Sequence, residues 1–223
     1  MRITLINGSP KQKGSSSGVL LEDLKRFLSE KSEVTETAMH LPSVTEETIK
    51  GLNDADALVF AYPLYVDCVP AHLLSCLVQL EKERSHEREI PVYGIVNCGF
   101  YEGIQAEPAL QVLQNWSVKA GFRWGGGIGI GGGGGLAMMS GPKPGKGPKA
   151  PVDQELESLA EQILRCETKA NRYVSVAFPR FLYRLAAQMG WRQMIRANGG
   201  KAKDLGKCSG FTSSRSRASE SRK

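Results

Sequence analysis

The stretch "RITLINGSPKQKGSSSGVLL" (residues 2–21) decides the fold. "RITLING" (2–8) is a short apolar run ending in a polar turn, the pattern of a strand. "NGSPKQKGSSSG" (7–18) follows as a loop, and "SGVLLEDLKRFLSEKS" (17–32) places apolar residues at 20, 21, 24, 27 and 28, a helical period with charges on the other face. Strand, loop and helix thus succeed one another directly. In the loop, Gly8 and Gly14 permit unusual backbone angles, and Ser9, Ser15, Ser16 and Ser17 supply hydroxyls. The helix beginning behind them contributes free N–H groups and the positive end of its dipole. Such a loop suits a phosphate monoester; the plainer reading is a Ser-rich cap on a flexible loop. It is not a Walker A loop, because five residues separate Gly8 from Gly14 and Ser15 stands where lysine is required.

The same alternation continues outward. "EVTETAMHL" (33–41) alternates like a partly polar edge strand, and "TEETIKGLNDAD" (45–56) reads as a short helix weakly capped by Thr45. "ALVFAYP" (57–63) and "IPVYGIVNCG" (90–99) are nearly continuous apolar runs, as in strands covered on both faces. "PAHLLSCLVQLEKERSHE" (70–87) and "EPALQVLQNWSVKAG" (107–121) are helical, "FRWGGGIGIGG" (122–132) is a last, glycine-rich strand, and "DQELESLAEQILRCE" (153–167) is an amphipathic helix. Five strands alternating with helices imply an α/β, doubly wound parallel sheet, either Rossmann or flavodoxin-like. In both, ligands sit beyond the carboxyl ends of the strands, so the loops after the first, third and fourth strands carry the site.

A second glycine motif competes for attention. Gly127, Gly129 and Gly132 spell G-x-G-x-x-G, the dinucleotide fingerprint. That motif must open a helix, whereas "LAMMSGPKPGKGPKAP" (136–151), with four prolines and three glycines, cannot sustain one. The glycines are read instead as strand positions without side chains, where another backbone comes close. Asp153 is expected to cap the last helix; the long Gly/Pro loop beyond the strand reads as mobile, and the sequence leaves open whether the stretch 125–151 acts as a lid.

"YPLYVDCVPAHL" (62–73) follows the third strand and "NCGFYEGI" (97–104) the fourth. Taken with "NGSPK…GSS", they resemble the FMN-binding NAD(P)H-dependent oxidoreductases of flavodoxin-like fold, a likeness spanning roughly residues 1–167. The resemblance implies a five-stranded sheet of order 2-1-3-4-5. It places Ser9, Lys11, Ser15, Ser16 and Ser17 around the FMN phosphate. Pro63, Leu64, Tyr65 and Val66 would contact the isoalloxazine ring, and Asn97, Gly99 and Phe100 its other edge. Where the family often has Asn after the position of Gly14, this chain has Ser15, which keeps the hydrogen bonding. The implied activity is hydride transfer from NAD(P)H through FMN to a quinone, flavin or similar small acceptor, in a homodimer. No protein nucleophile, acid or base is required, so His72, on the helix after the second loop, and Cys68 are read as packing and loop residues. The alternatives are a flavodoxin-type electron carrier and a flavin-free interaction module.

Charge divides the chain. Residues 168–223 carry 13 Lys/Arg against Asp204 and Glu220, a net +11, while residues 1–167 carry 16 against 21 acids, a net −5. The expected organisation is an FMN-binding domain over 1–167, a basic helical extension over 168–207 and a disordered Ser/Arg-rich tail over 208–223. "FPRFLYRLAAQMGWRQMIRANG" (178–199) reads as one amphipathic helix, or two joined near Gly190, with an arginine stripe opposite Phe181, Leu182, Leu185, Met189 and Ile195. A basic amphipathic helix can lie on an anionic membrane; packing of its apolar face on the body or a second subunit is the favoured reading. Nucleic-acid binding is not expected, since no fold motif accompanies the charge. The five scattered cysteines (68, 76, 98, 166, 208) contain no C-x-x-C pair and predict no disulfide framework and no zinc or iron–sulfur site. No secretory signal and no apolar run of ~18 residues is found, so a cytoplasmic protein is expected.

Overall fold

Apolar runs long enough to be covered on both faces call for a parallel sheet with helices on either side. The computed structural model, which describes residues 1–83, 88–138 and 145–206, has that architecture. The first unit runs β1 (Arg2–Asn7), α1 (Ser16–Leu28), β2 (Glu33–Ala38), α2 (Glu46–Asn53), β3 (Ala57–Pro63), α3 (Ala71–Glu83), β4 (Pro91–Asn97), α4 (Glu107–Lys119), β5 (Arg123–Ile130), α5 (Ala150–Leu164) and β6 (Arg172–Val174). All neighbouring strands pair parallel, in the order β2-β1-β3-β4-β5-β6.

The expected five-strand order is thus kept and extended. β6 pairs through Arg172–Val174 with Ile128–Ile130 of β5. Three residues are too few to show a period, which is why sequence reading missed this strand. Residues 168–178, grouped above with the basic extension, belong to the first compact unit, Met1–Phe178. The second unit, Pro179–Lys223, contributes one continuous helix, α6 (Arg180–Ala197), so Gly190 does not divide it. The 208–223 tail lies outside the described residues.

Alternation along the strands sends side chains into two cores. Leu58, Phe60 and Tyr62 face the layer built by α2, α3 and α4, where Leu77, Leu113 and Trp116 are buried. Val59, Ala61 and Ile95 face α1 and α5, against Leu20, Leu24, Leu156 and Ile163. Two of the large buried aromatic side chains pair their polar ends, as burial demands. Tyr62 donates its hydroxyl to Ala109 O at 2.9 Å, and Trp116 Nε1 donates to Leu77 O at 2.7 Å. Thr45 caps α2 through Thr48 N, as read.

The glycines of β5 are sites of close approach. A Cβ on Gly125 would lie 2.3 Å from the Tyr93 ring, and Gly125 is the extra residue where the β4–β5 register shifts. Gly132 has φ of 78° but opens no α-helix, which agrees with discarding the dinucleotide fingerprint. α5 starts at Ala150, not at Asp153, because Pro151 is tolerated in a first turn. Asp153 is therefore not a cap. It is buried inside the first turn and pairs with Lys149 Nζ at 3.3 Å. Lys149 also pairs with buried Asp23 of α1.

Candidate functional site

Parallel pairing brings the carboxyl ends of the central strands level: Asn7 opposes Ala61, Pro63 opposes Asn97, and Asn97 opposes Ile130. The loops leaving these ends are laced together. Leu64 N donates to Asn97 O at 2.8 Å, Cys98 N to Ile130 O at 2.9 Å and Gly133 N to Cys98 O at 2.7 Å.

Residues 7–18 turn at Gly14, with φ of 62°, directly before α1. Ser15 caps the helix, accepting from Gly18 N at 3.0 Å, a cap worth about 1 kcal/mol. The other hydroxyls are also committed to the protein. Ser16 Oγ donates to Gly133 O at 2.6 Å, and Ser17 Oγ to Asn97 Oδ1 at 2.8 Å. Ser9 Oγ accepts from Lys11 N at 3.2 Å, and Lys11 Nζ donates to Gly14 O at 3.1 Å. What the loop leaves open is its backbone. Among the described residues, no acceptor faces the N–H groups of Gly14, Ser15, Ser16 and Ser17. No acid lies in the first turn of α1, and Lys11 and Lys13 are exposed beside it. Convergent amides, a helix N-terminus and two lysines fit a phosphate group.

The second wall is a two-residue hairpin. Tyr65 and Cys68 exchange backbone hydrogen bonds at 3.0 and 3.1 Å, with Val66 and Asp67 between them at φ of 50° and 56°. A β-branched residue in this region is strained. Val66 buries almost nothing in return, being 97% exposed. Tyr65 is half exposed, Pro63 partly so, and Leu64 packs back on the core. The third wall contains Asn97, buried, then Gly99 and Phe100, both exposed. A Cβ on Gly99 would meet nothing within 4 Å, so there is free space beside its Cα. Below it, Cys98 is buried and its thiol leans on the carbonyls of Phe100 and Glu102. Burial pushes that thiol up in pKa, which keeps it protonated and unreactive.

All twelve residues singled out from sequence therefore gather at one end of the sheet, on the last residues of β3 and β4, the first turn of α1 and the loops between, but by different routes. The loop after β1 offers amides more than hydroxyls, and Tyr65, Val66 and Phe100 form an exposed apolar rim. Sequence reading missed the residues that hold the loop. Asn7 donates to Ser15 Oγ at 3.4 Å and accepts from Ser9 N at 3.1 Å. His40 Nδ1 contacts Ser9 O, and since a carbonyl only accepts, that nitrogen carries the proton. Asn7, at the strand end before Gly8, carried a readable signal; His40, 31 residues from Ser9, did not. His72 is partly buried in the first turn of α3, its Nε2 without a partner among the described residues.

The glycine run that leads into the Gly/Pro loop is held in place. Gly131, Gly132 and Gly133 are buried and donate to Val174, Phe100 and Cys98 carbonyls. A Cβ on Gly131 would lie 2.0 Å from Tyr101 O. This segment is scaffold; residues 139–144 of the loop lie outside the described residues.

No protein-family model and no curated protein matches the sequence. Solved structures do resemble the chain. A flavodoxin of Streptococcus pneumonia TIGR4 is 12% identical with a TM-score of 0.52, over 74% of this chain and 99% of that one. An NADPH-quinone reductase from P. pentosaceus is 15% identical, TM-score 0.51, over 73% of this chain and 96% of that one. A flavone reductase is 11% identical, TM-score 0.55, over 76% of this chain and 66% of that one. At such identities the likeness establishes the fold: the chain is flavodoxin-like, with a sixth strand added beside β5.

Proposed function

We propose that the chain is an FMN-dependent oxidoreductase that takes hydride from NAD(P)H and passes electrons to a quinone, flavin or similar small acceptor. One observation carries the reading: four open amides at the N-terminus of α1 adjoin an apolar rim at the carboxyl end of the sheet. A phosphate monoester joined to a flat ring fits both parts at once. FMN, when bound, supplies the hydride-accepting and electron-donating chemistry.

The chain's own residues would do the rest. Gly14, Ser15, Ser16 and Ser17 would hold the phosphate by backbone N–H groups, with Lys11 and Lys13 lowering the cost of its charge. Ser9 would act through the loop, its hydroxyl already engaged with Lys11 N. Pro63, Leu64, Tyr65 and Val66 would orient the ring and exclude water from one side, with Asn97, Gly99 and Phe100 at its other edge. No residue is assigned to move a proton. A homodimer would cover the apolar rim that one chain leaves in water; Val66 is 97% exposed and Phe100 53%.

Anaerobic titration tests the reading. Purified chain should bind added FMN and quench its fluorescence, and NADH or NADPH should then bleach the flavin absorbance. Failure to take up FMN would sink the proposal. FMN bound but untouched by either nucleotide would instead favour an electron carrier, the reading that the likeness to a flavodoxin supports.

A further inference from the structure

We propose that α6 and the basic residues behind it form a docking element for an anionic lipid surface. The helix runs Arg180–Ala197, contains four arginines and no acid, and has no buried residue. Phe181, Leu185, Met189, Trp191 and Met194 are between 51% and 70% exposed. Over residues 179–223 the sequence carries 11 Lys/Arg against two acids.

The arrangement of these side chains selects the partner. At roughly 100° per residue, Phe181, Leu185 and Met189 project from the same sector as Arg192 and Arg196, rather than opposite an arginine stripe as the sequence suggested. A second sector brings Arg180 and Arg184 beside Trp191. Apolar and cationic groups therefore share each face. A folded protein partner would have to place a carboxylate between every two apolar pockets. A bilayer interface offers anionic headgroups and acyl chains within a few ångströms of one another, and arginine reaches between them along its own apolar stem. Aromatic residues such as Trp191 and Phe181 are at home at that depth. Against nucleic acid, Leu185 and Met189 would gain nothing from phosphates. The basic residues following α6, Lys201 and Lys203 among them, add the long-range attraction that a single short helix lacks.

The test uses the full chain and vesicles of phosphatidylcholine with or without phosphatidylglycerol. Trp191 is its own reporter, because Trp116 and Trp124 are 6% and 8% exposed while Trp191 is 51% exposed. Phosphatidylglycerol vesicles should sediment the chain and shift its tryptophan emission to the blue, and added salt should reverse both. Arg192→Glu with Arg196→Glu should weaken binding by about tenfold or more. Phe181→Ser with Leu185→Ser should abolish the blue shift while leaving the circular dichroism spectrum and the thermal midpoint unchanged. Equal binding to both vesicle types, or none to either, would overturn the proposal. So would a dimer that dissociates on Phe181→Ser with no lipid binding, which would assign the helix to a second copy. Tighter, arginine-dependent binding of a DNA duplex than of vesicles would overturn it as well. FMN binding plays no part in these readouts, so the flavin proposal stands or falls separately.

Discussion

Ser17 Oγ donates to Asn97 Oδ1 at 2.8 Å, across 80 residues of sequence, and both side chains are buried. This bond ties the first turn of α1 to the carboxyl end of β4, and so fixes the loop after β1 against the loop after β4. Ser17→Ala leaves a buried carbonyl oxygen without its donor, at a cost of about 1–3 kcal/mol. Urea unfolding should show a lower midpoint at unchanged slope, and FMN affinity should fall with it. An unchanged midpoint would show that the bond holds nothing together.

Lys149 is buried between Asp23 and Asp153, with side chains 6–8% exposed. Removing its charge leaves Asp23 to Arg26 at 3.4 Å and Asp153 to the Gly145 N–H at 2.8 Å, two buried carboxylates without their shared cation. Lys149→Met should destabilise by about 3–5 kcal/mol, and adding Asp23→Leu and Asp153→Leu should recover most of the loss. If the triple variant is no better than the single one, the penalty comes from packing and not from uncompensated charge.

Gly131 has no room for a methyl group, since its Cβ would lie 2.0 Å from Tyr101 O and 2.7 Å from Gly103 N. Gly131→Ala should cost more than about 2 kcal/mol by overpacking. Gly145→Ala is a weaker comparison in space, with nothing within 4 Å, but is strained by its φ of 78°. Thermal melts should rank Gly131→Ala as the more damaging of the two.

Tyr62 and Tyr93 are fully buried, and burial raises both hydroxyls above the ordinary tyrosine pKa. The folded state therefore holds protons that the unfolded chain releases near pH 10. Their contribution to stability is complete below that pH and is lost as pH rises past it. Tyrosinate absorbance should thus appear for these two together with loss of circular dichroism, in one cooperative alkaline transition. Titration of all the tyrosines ahead of unfolding would contradict this.

Val66 is strained and almost wholly exposed, so nothing within the chain rewards its conformation. Val66→Asn should stabilise the flavin-free chain by about 0.5–1 kcal/mol, because asparagine tolerates the left-handed region. If the valine serves the ring, the same substitution should weaken FMN binding. A variant that loses stability and keeps its affinity would count against both statements.

Much of this was legible in the chain itself. The helical spacing after Ser15, the apolar runs of β3 and β4 and the polar alternation of β2 depend only on neighbours a few residues away, so they read directly as elements and order. The site loops were legible for the same reason, since a parallel α/β sheet places its ligands at the strands' carboxyl ends. Other features had no local signature. The three residues of β6 acquire their identity only by pairing with Ile128–Ile130. Asp153 looks like a cap until Lys149 is seen buried against it.

The sequence by itself thus determined the succession of strands and helices, the two-sided core and the make-up of the loop between β1 and α1. The tertiary structure decided which donors in that loop remain open. It spent the hydroxyls of Ser15, Ser16 and Ser17 on Gly18, Gly133 and Asn97 and left the amides. The physical reason is range: periodicity is set by bonds along the chain, whereas a hydrogen bond finds its partner only when the folded sheet brings distant residues together.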